Sequence, residues 1–186
     1  MSDGHLQIVV CGAGPASDVA RLIVVAREAS WTMAVTATAS AANFIDIPAI
    51  ERLTGNPVRT SYQTVGRGRR VPTWVDALII APATYNTVNK IALGIADSYP
   101  LTSIAELIGR NVPTVVVPFV NAALAARAPF QHAVATLRQE GVRVLLGPDD
   151  GWEPHPPGGG AERQAVFPWA TAFRTAAQTA HRSVDQ

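Results

Sequence analysis

The sequence predicts a flavodoxin/Rossmann-like α/β domain: one doubly wound parallel sheet with helices on both faces. Three observations lead there. Five short runs of β-branched and apolar residues alternate with segments of helical period. Each run is apolar throughout, as in strands buried on both faces. Turns rich in Gly, Thr, Ser or Asn follow the first three runs, where parallel sheets pass from strand to helix.

In chain order, residues 6–11 form the first strand, and a helix follows over about 17–29. Residues 32–38 are the second strand, and the next helix runs through Phe44, Ile45, Ile50 and Leu53 to stop near Gly55. Residues 76–81 are the third, followed by a helix carrying Val88, Ile91 and Ile95. Residues 113–117 and 142–146 are the fourth and fifth, joined by one helix over 121–140. A terminal helix holds Val166, Phe167, Trp169 and Phe173.

Two stretches break the pattern. Residues 57–72 hold Arg59, Arg67, Arg69 and Arg70 beside Gly66 and Gly68, which reads as an exposed basic loop. Residues 147–160 are too rich in proline and glycine for helix or strand, so a flexible loop is expected over about 147–163. Loops of that length serve as lids or binding loops, or are disordered. With 186 residues and no internal repeat, a single domain is expected.

Composition narrows the function. At 48% hydrophobic and 16% charged, the chain is globular, and a net charge of +1 gives no reason to expect nucleic acid or an anionic membrane as partner. The one cysteine, Cys11, sits in a strand pattern as a packing residue and fits a reducing compartment. No residue cluster suggests a metal, no secretory pattern opens the sequence and no apolar run spans a membrane, so a cytoplasmic protein is expected.

Open α/β sheets bind ligands beyond the carboxyl ends of their strands. The first such turn is Gly12-Ala13-Gly14-Pro15-Ala16-Ser17, a glycine pair whose third fingerprint position is Ser17. The second strand ends in Thr38-Ala39-Ser40 without the carboxylate that would hold an adenosine ribose, which disfavours NAD. Hydroxyls and free amides at helix starts suit a monophosphate, although Thr38 and Ser40 as simple helix caps explain the same residues. The third turn, with Ala83, Thr84, Tyr85, Asn86, Thr87 and Asn89, has more polar groups than one cap needs.

The segment APATYNTVNKIALGIAD, from Ala81 to Asp97, resembles the PASANT motif of the homo-oligomeric flavin-containing cysteine decarboxylases. PFVNAALA, from Pro118, is similar to that family's PxMNxxMW motif, and TATASAANF, ending at Phe44, resembles its second flavin loop. The resemblance implies FMN as cofactor, a trimer or a dodecamer of trimers, and a cysteine-containing peptide or small molecule as substrate. It places Thr84, Tyr85, Asn86 and Thr87 along the flavin, Thr38, Ser40 and Phe44 at its phosphate and ring, Phe119 near the isoalloxazine, and Asn121 on the substrate carboxylate. Gly68 stands where the family has its catalytic histidine, which leaves His155 and His132 as candidate replacements and Arg67, Arg69 and Arg70 as candidate substrate-loop cations. Three activities stay open: oxidative decarboxylation of a C-terminal peptidyl cysteine, decarboxylation of phosphopantothenoylcysteine, and flavin binding without that catalysis; a flavin prenyltransferase is more remote. The phosphopantothenoylcysteine branch protonates its product with a late cysteine, and this chain has none after Cys11.

Overall fold

The computed structural model describes residues 3–61 and 74–184, with residues 182–184 described as backbone only. The elements are β1 (Gly4–Val10), α1 (Ala20–Glu28), β2 (Trp31–Ala37), α2 (Ile47–Thr54), β3 (Ala77–Ala83), α3 (Tyr85–Ala92), α4 (Tyr99–Gly109), β4 (Thr114–Pro118), α5 (Ala122–Ala125), α6 (Ala128–Gln139), β5 (Arg143–Val144), α7 (Gly160–Ala165) and α8 (Trp169–Val184). All strand pairs are parallel, in the order β2-β1-β3-β4-β5. The chain reverses its winding between β1 and β3, so the carboxyl ends of these two strands form the switch point at which sheets of this kind bind ligands.

Alternation along β1 builds two cores. Leu6, Ile8 and Val10 face one layer with Leu22 and Ile23 of α1 and Phe173 and Ala176 of α8. Val9 and Cys11 face the other, with Ile104 of α4 and Phe130 and Leu137 of α6. Both faces are dry, which is why the strands read as continuous apolar runs.

Several element boundaries differ from the sequence expectation. The expected 121–140 helix is two: Arg127 is extended at φ −73° and ψ 134°, and Pro129, in the first turn of α6, fixes a fresh start. α4 was not expected at all, yet Tyr99-Pro100 after Ser98 carries the same proline signal. Phe44 and Ile45 precede α2, which begins where the Asp46 side chain accepts the Ala49 N–H. Ile95 lies beyond α3, Val166 and Phe167 precede α8, and β5 keeps only Arg143 and Val144. Gly14–Asp18 is a 3-10 turn, so α1 starts at Ala20 and not near Ser17.

Candidate functional site

Three turns converge at the carboxyl edge. A Cβ on Gly12 would lie 2.8 Å from Ser40 Cβ and Oγ, so the first turn touches the second and only glycine fits there. In the second turn, Thr38 Oγ1 lies 3.3 Å from Ser40 Oγ and accepts the Ala41 N–H at 3.3 Å. In the third, Thr84 is extended and caps α3, its Oγ1 accepting the Thr87 N–H at 3.2 Å and pairing with Thr87 Oγ1 at 2.9 Å. Asn86 and Ser17 are exposed, while Ala83 and Thr87 are buried.

Residues 12–17, 38–41 and 84–87 in these turns offer hydroxyls, an amide and helix-start N–H groups and no carboxylate, Asp18 following at the end of the first. That donor set fits a phosphomonoester. Phe44, 44% exposed, and the half-buried Phe119 add aromatic surface for a flat ring system. Tyr85 turns elsewhere and stacks on Phe130 of α6 at 5.5 Å. Cys11 lies beneath: burial pushes its thiol up, against hydrogen bonds to the Thr87 side chain and Thr84 backbone, so it stays a protonated packing group.

The proline- and glycine-rich stretch forms a strap across the same edge. Trp152 is buried and donates its Nε1–H to the Pro118 carbonyl at 2.8 Å. Asp150 accepts the Leu146 N–H at 2.9 Å and pairs with Arg143, which fixes the turn before Trp152. His155 then pairs in parallel with Asn121: its N–H donates to Val120 O at 3.3 Å, and its carbonyl accepts Ala122 N–H at 2.8 Å. Its ring packs on Phe119 at 4.8 Å between centroids. Further on, Gln164 donates to Ser17 Oγ at 3.3 Å, and its Oε1 lies 2.6 Å from where a Cβ of Gly14 would stand.

Asn121 caps α5, with Oδ1 accepting the Leu124 N–H at 2.9 Å. That cap engages Oδ1 and leaves Nδ2, a double donor, without a hydrogen bond among the described residues. The fold therefore gathers Gly14, Ser17, Thr38, Ser40, Thr84, Asn86, Phe119, Asn121 and His155 at one edge. His132 is on the exposed side of α6, and Arg67, Arg69 and Arg70 lie outside the described residues. Sequence analysis missed Trp152 and Gln164, which carry no signal of their place: Trp152 lies inside the stretch without periodicity and Gln164 just beyond it.

A cavity of about 300 Å³ lies at the amino edge, lined by Asp3, Trp31, Asp76 and His181, away from all three turns. Among the described residues no group of three or more His, Cys, Asp or Glu could hold a metal ion, and no helix is long and apolar enough to cross a membrane.

A parallel sheet in this order, with hydroxyl-bearing turns and aromatic rings at its carboxyl edge, defines a Rossmann/flavodoxin-like α/β domain. The Flavoprotein family model matches residues 1–157, and the chain belongs to that family. It is similar to the crystal structure of the FMN-dependent cysteine decarboxylase SpaF, at 29% identity and a TM-score of 0.75 over 96% of this chain and 97% of that one. The FMN-dependent cysteine decarboxylase TvaF from thioviridamide biosynthesis shares the fold, at 24% identity and a TM-score of 0.70 over 96% and 98%. The coenzyme A biosynthesis bifunctional protein CoaBC of Haemophilus influenzae is 27% identical over 80% of this chain, and the match spans 38% of that relative's length.

Proposed function

We propose that this chain binds FMN and oxidatively decarboxylates a C-terminal peptidyl cysteine to an aminoenethiol. The observation that carries this is the placement of Asn121: an amide with its oxygen engaged in a cap and its two N–H donors without a partner among the described residues, at the edge where the three turns meet. When bound, FMN supplies the two-electron oxidation. The chain's own groups do the rest. Gly14, Ser17, Thr38, Ser40, Ala83, Thr84, Asn86 and Thr87 would hold the phosphate and ribityl chain, and Phe44 and Phe119 would border the ring, while the Tyr85 ring, stacked on Phe130, would not. Asn121 orients the substrate carboxylate, and the strap through Trp152 keeps water from the reacting carbon.

The likeness to SpaF, an FMN-dependent cysteine decarboxylase 29% identical over nearly the whole chain, supports FMN and a cysteine carboxylate as substrate. The CoaBC match supports phosphopantothenoylcysteine as the alternative, and Gly68 in place of a histidine supports the catalytically altered flavin protein. Incubating the FMN-loaded protein with a cysteine-ended peptide and, separately, with phosphopantothenoylcysteine separates the three. A peptide product lighter by formic acid supports the proposal, and no mass change with either substrate refutes catalysis.

The same reading takes the protein as a cytoplasmic homo-oligomer, trimeric or a dodecamer of trimers. Ala122, Ala123, Leu124 and Ala126 are exposed on and beside α5, and Leu93, at 74% exposed, adds further uncovered apolar surface. Multi-angle light scattering should give a multiple of three chains, and a stable monomer refutes it.

A further inference from the structure

We propose that His155 and Asn121 form a two-point clamp for a β-thiol carboxylate, in which Asn121 Nδ2 holds the carboxylate and His155 Nε2 takes the thiol proton. The clamp rests on the cysteine-ended substrate proposed above, and it supplies the acid–base group that Gly68 does not.

The geometry comes from the backbone. Residues paired in a parallel bridge stand side by side on the same face, with strands about 4.8 Å apart. Asn121 and His155 are such a pair. Phe119 lies two residues before Asn121 on that face, and the His155 ring rests on it at 4.8 Å. In cysteine the carboxyl carbon and the sulfur are separated by two carbons, a span comparable to the spacing of two neighbouring strand positions.

The atoms are also oriented. His155 Nδ1 lies 2.9 Å from the Pro156 carbonyl, which only accepts, so Nδ1 carries the proton and Nε2 the lone pair. A Cβ at Gly160 would stand 3.6 Å from Cε1 and 3.8 Å from Nε2, an ordinary contact distance, so the glycine packs beside that edge of the ring without crowding it. Arg163 is occupied, stacked on Trp152 at 4.3 Å and donating to Glu153 O at 3.1 Å. The proposed step is one proton transfer: the S–H bond breaks, the Nε2–H bond forms, and a thiolate–imidazolium pair results. The same proton is available to the sulfur of the product.

The test uses the FMN-loaded protein held reduced by dithionite, so that a bound thiol is not consumed. Titration calorimetry compares two peptides that differ only in ending with cysteine or serine. The parent should prefer the cysteine peptide by about 10-fold or more, the worth of a charge-assisted contact. His155→Ala should keep its FMN and its serine-peptide affinity and lose the preference to within about 2-fold. In the oxidised protein His155→Ala should slow a single turnover by about 100-fold or more. Added imidazole should restore part of that rate, which a purely structural role would not allow. A cysteine preference unchanged in His155→Ala, or absent from the parent, overturns the clamp. A parent that prefers the cysteine peptide yet never converts it leaves the clamp standing and refutes the decarboxylase proposal.

Discussion

Replacing Trp152 by phenylalanine tests whether the strap is anchored by a single buried hydrogen bond. Phenylalanine keeps most of the edge contact with Phe167, 5.1 Å between centroids, and a face for Arg163, but removes the Nε1–H that reaches Pro118 O at 2.8 Å. Leaving a buried carbonyl without its donor costs about 1–3 kcal/mol. For a domain of this size each kcal/mol lowers the melting temperature by roughly 2–4 °C, so Trp152→Phe should melt roughly 2–12 °C below the parent. Trp152→Ala removes the ring as well, for about 3–5 kcal/mol. Thermal melts by circular dichroism read the global effect, and amide exchange at His155 and Ala122 reads the strap. If the strap detaches before the sheet melts, those two amides lose protection first. A Trp152→Phe protein with the parental melting temperature and unchanged exchange at both amides refutes the anchoring role.

Asn121→Ala should cost about 1 kcal/mol through the lost cap, whereas Asn121→Asp keeps the cap and parental stability. Asn121→Asp should stay yellow yet fail on a cysteine-ended peptide, because its carboxylate repels the substrate's; turnover at the parental rate reduces Asn121 to a cap. Gly12→Ala drives a Cβ to within 2.8 Å of Ser40, so it should destabilise by about 1–3 kcal/mol and weaken FMN binding, measured by flavin fluorescence. Unchanged flavin affinity would detach the first two turns from the cofactor. Burial holds His5 below the ordinary histidine value, with Asp76 pulling the other way. The unfolded chain therefore takes up that proton first, so the contribution present at neutral pH is lost as pH falls below about 6.5. Melting temperature should drop through that range, and His5→Gln should flatten the drop; equal slopes for the two proteins would clear His5.

The sequence by itself determined the layering and the sheet edge at which the three turns meet. Continuous apolar runs such as that containing Ile79 and Ile80 admit only strands covered on both sides, and the turn residues Gly12, Thr38, Ser40 and Thr84 follow directly from where those strands end. Local signals sufficed because strand burial and helix capping are settled within a few residues. Proline signals at Pro100 and Pro129 were present too, and they explain α4 and the α5–α6 break. Only the tertiary structure decided the rest. His155 stands 34 positions from Asn121, in a stretch with no periodicity, and its place is set by backbone pairing to Val120 and Ala122 and by Trp152 reaching Pro118. Gln164 meets Ser17 across 147 positions. Such contacts leave no mark in local composition, since any proline-rich segment of that length could close on the sheet edge or swing clear of it; the buried indole and its one acceptor hold it closed.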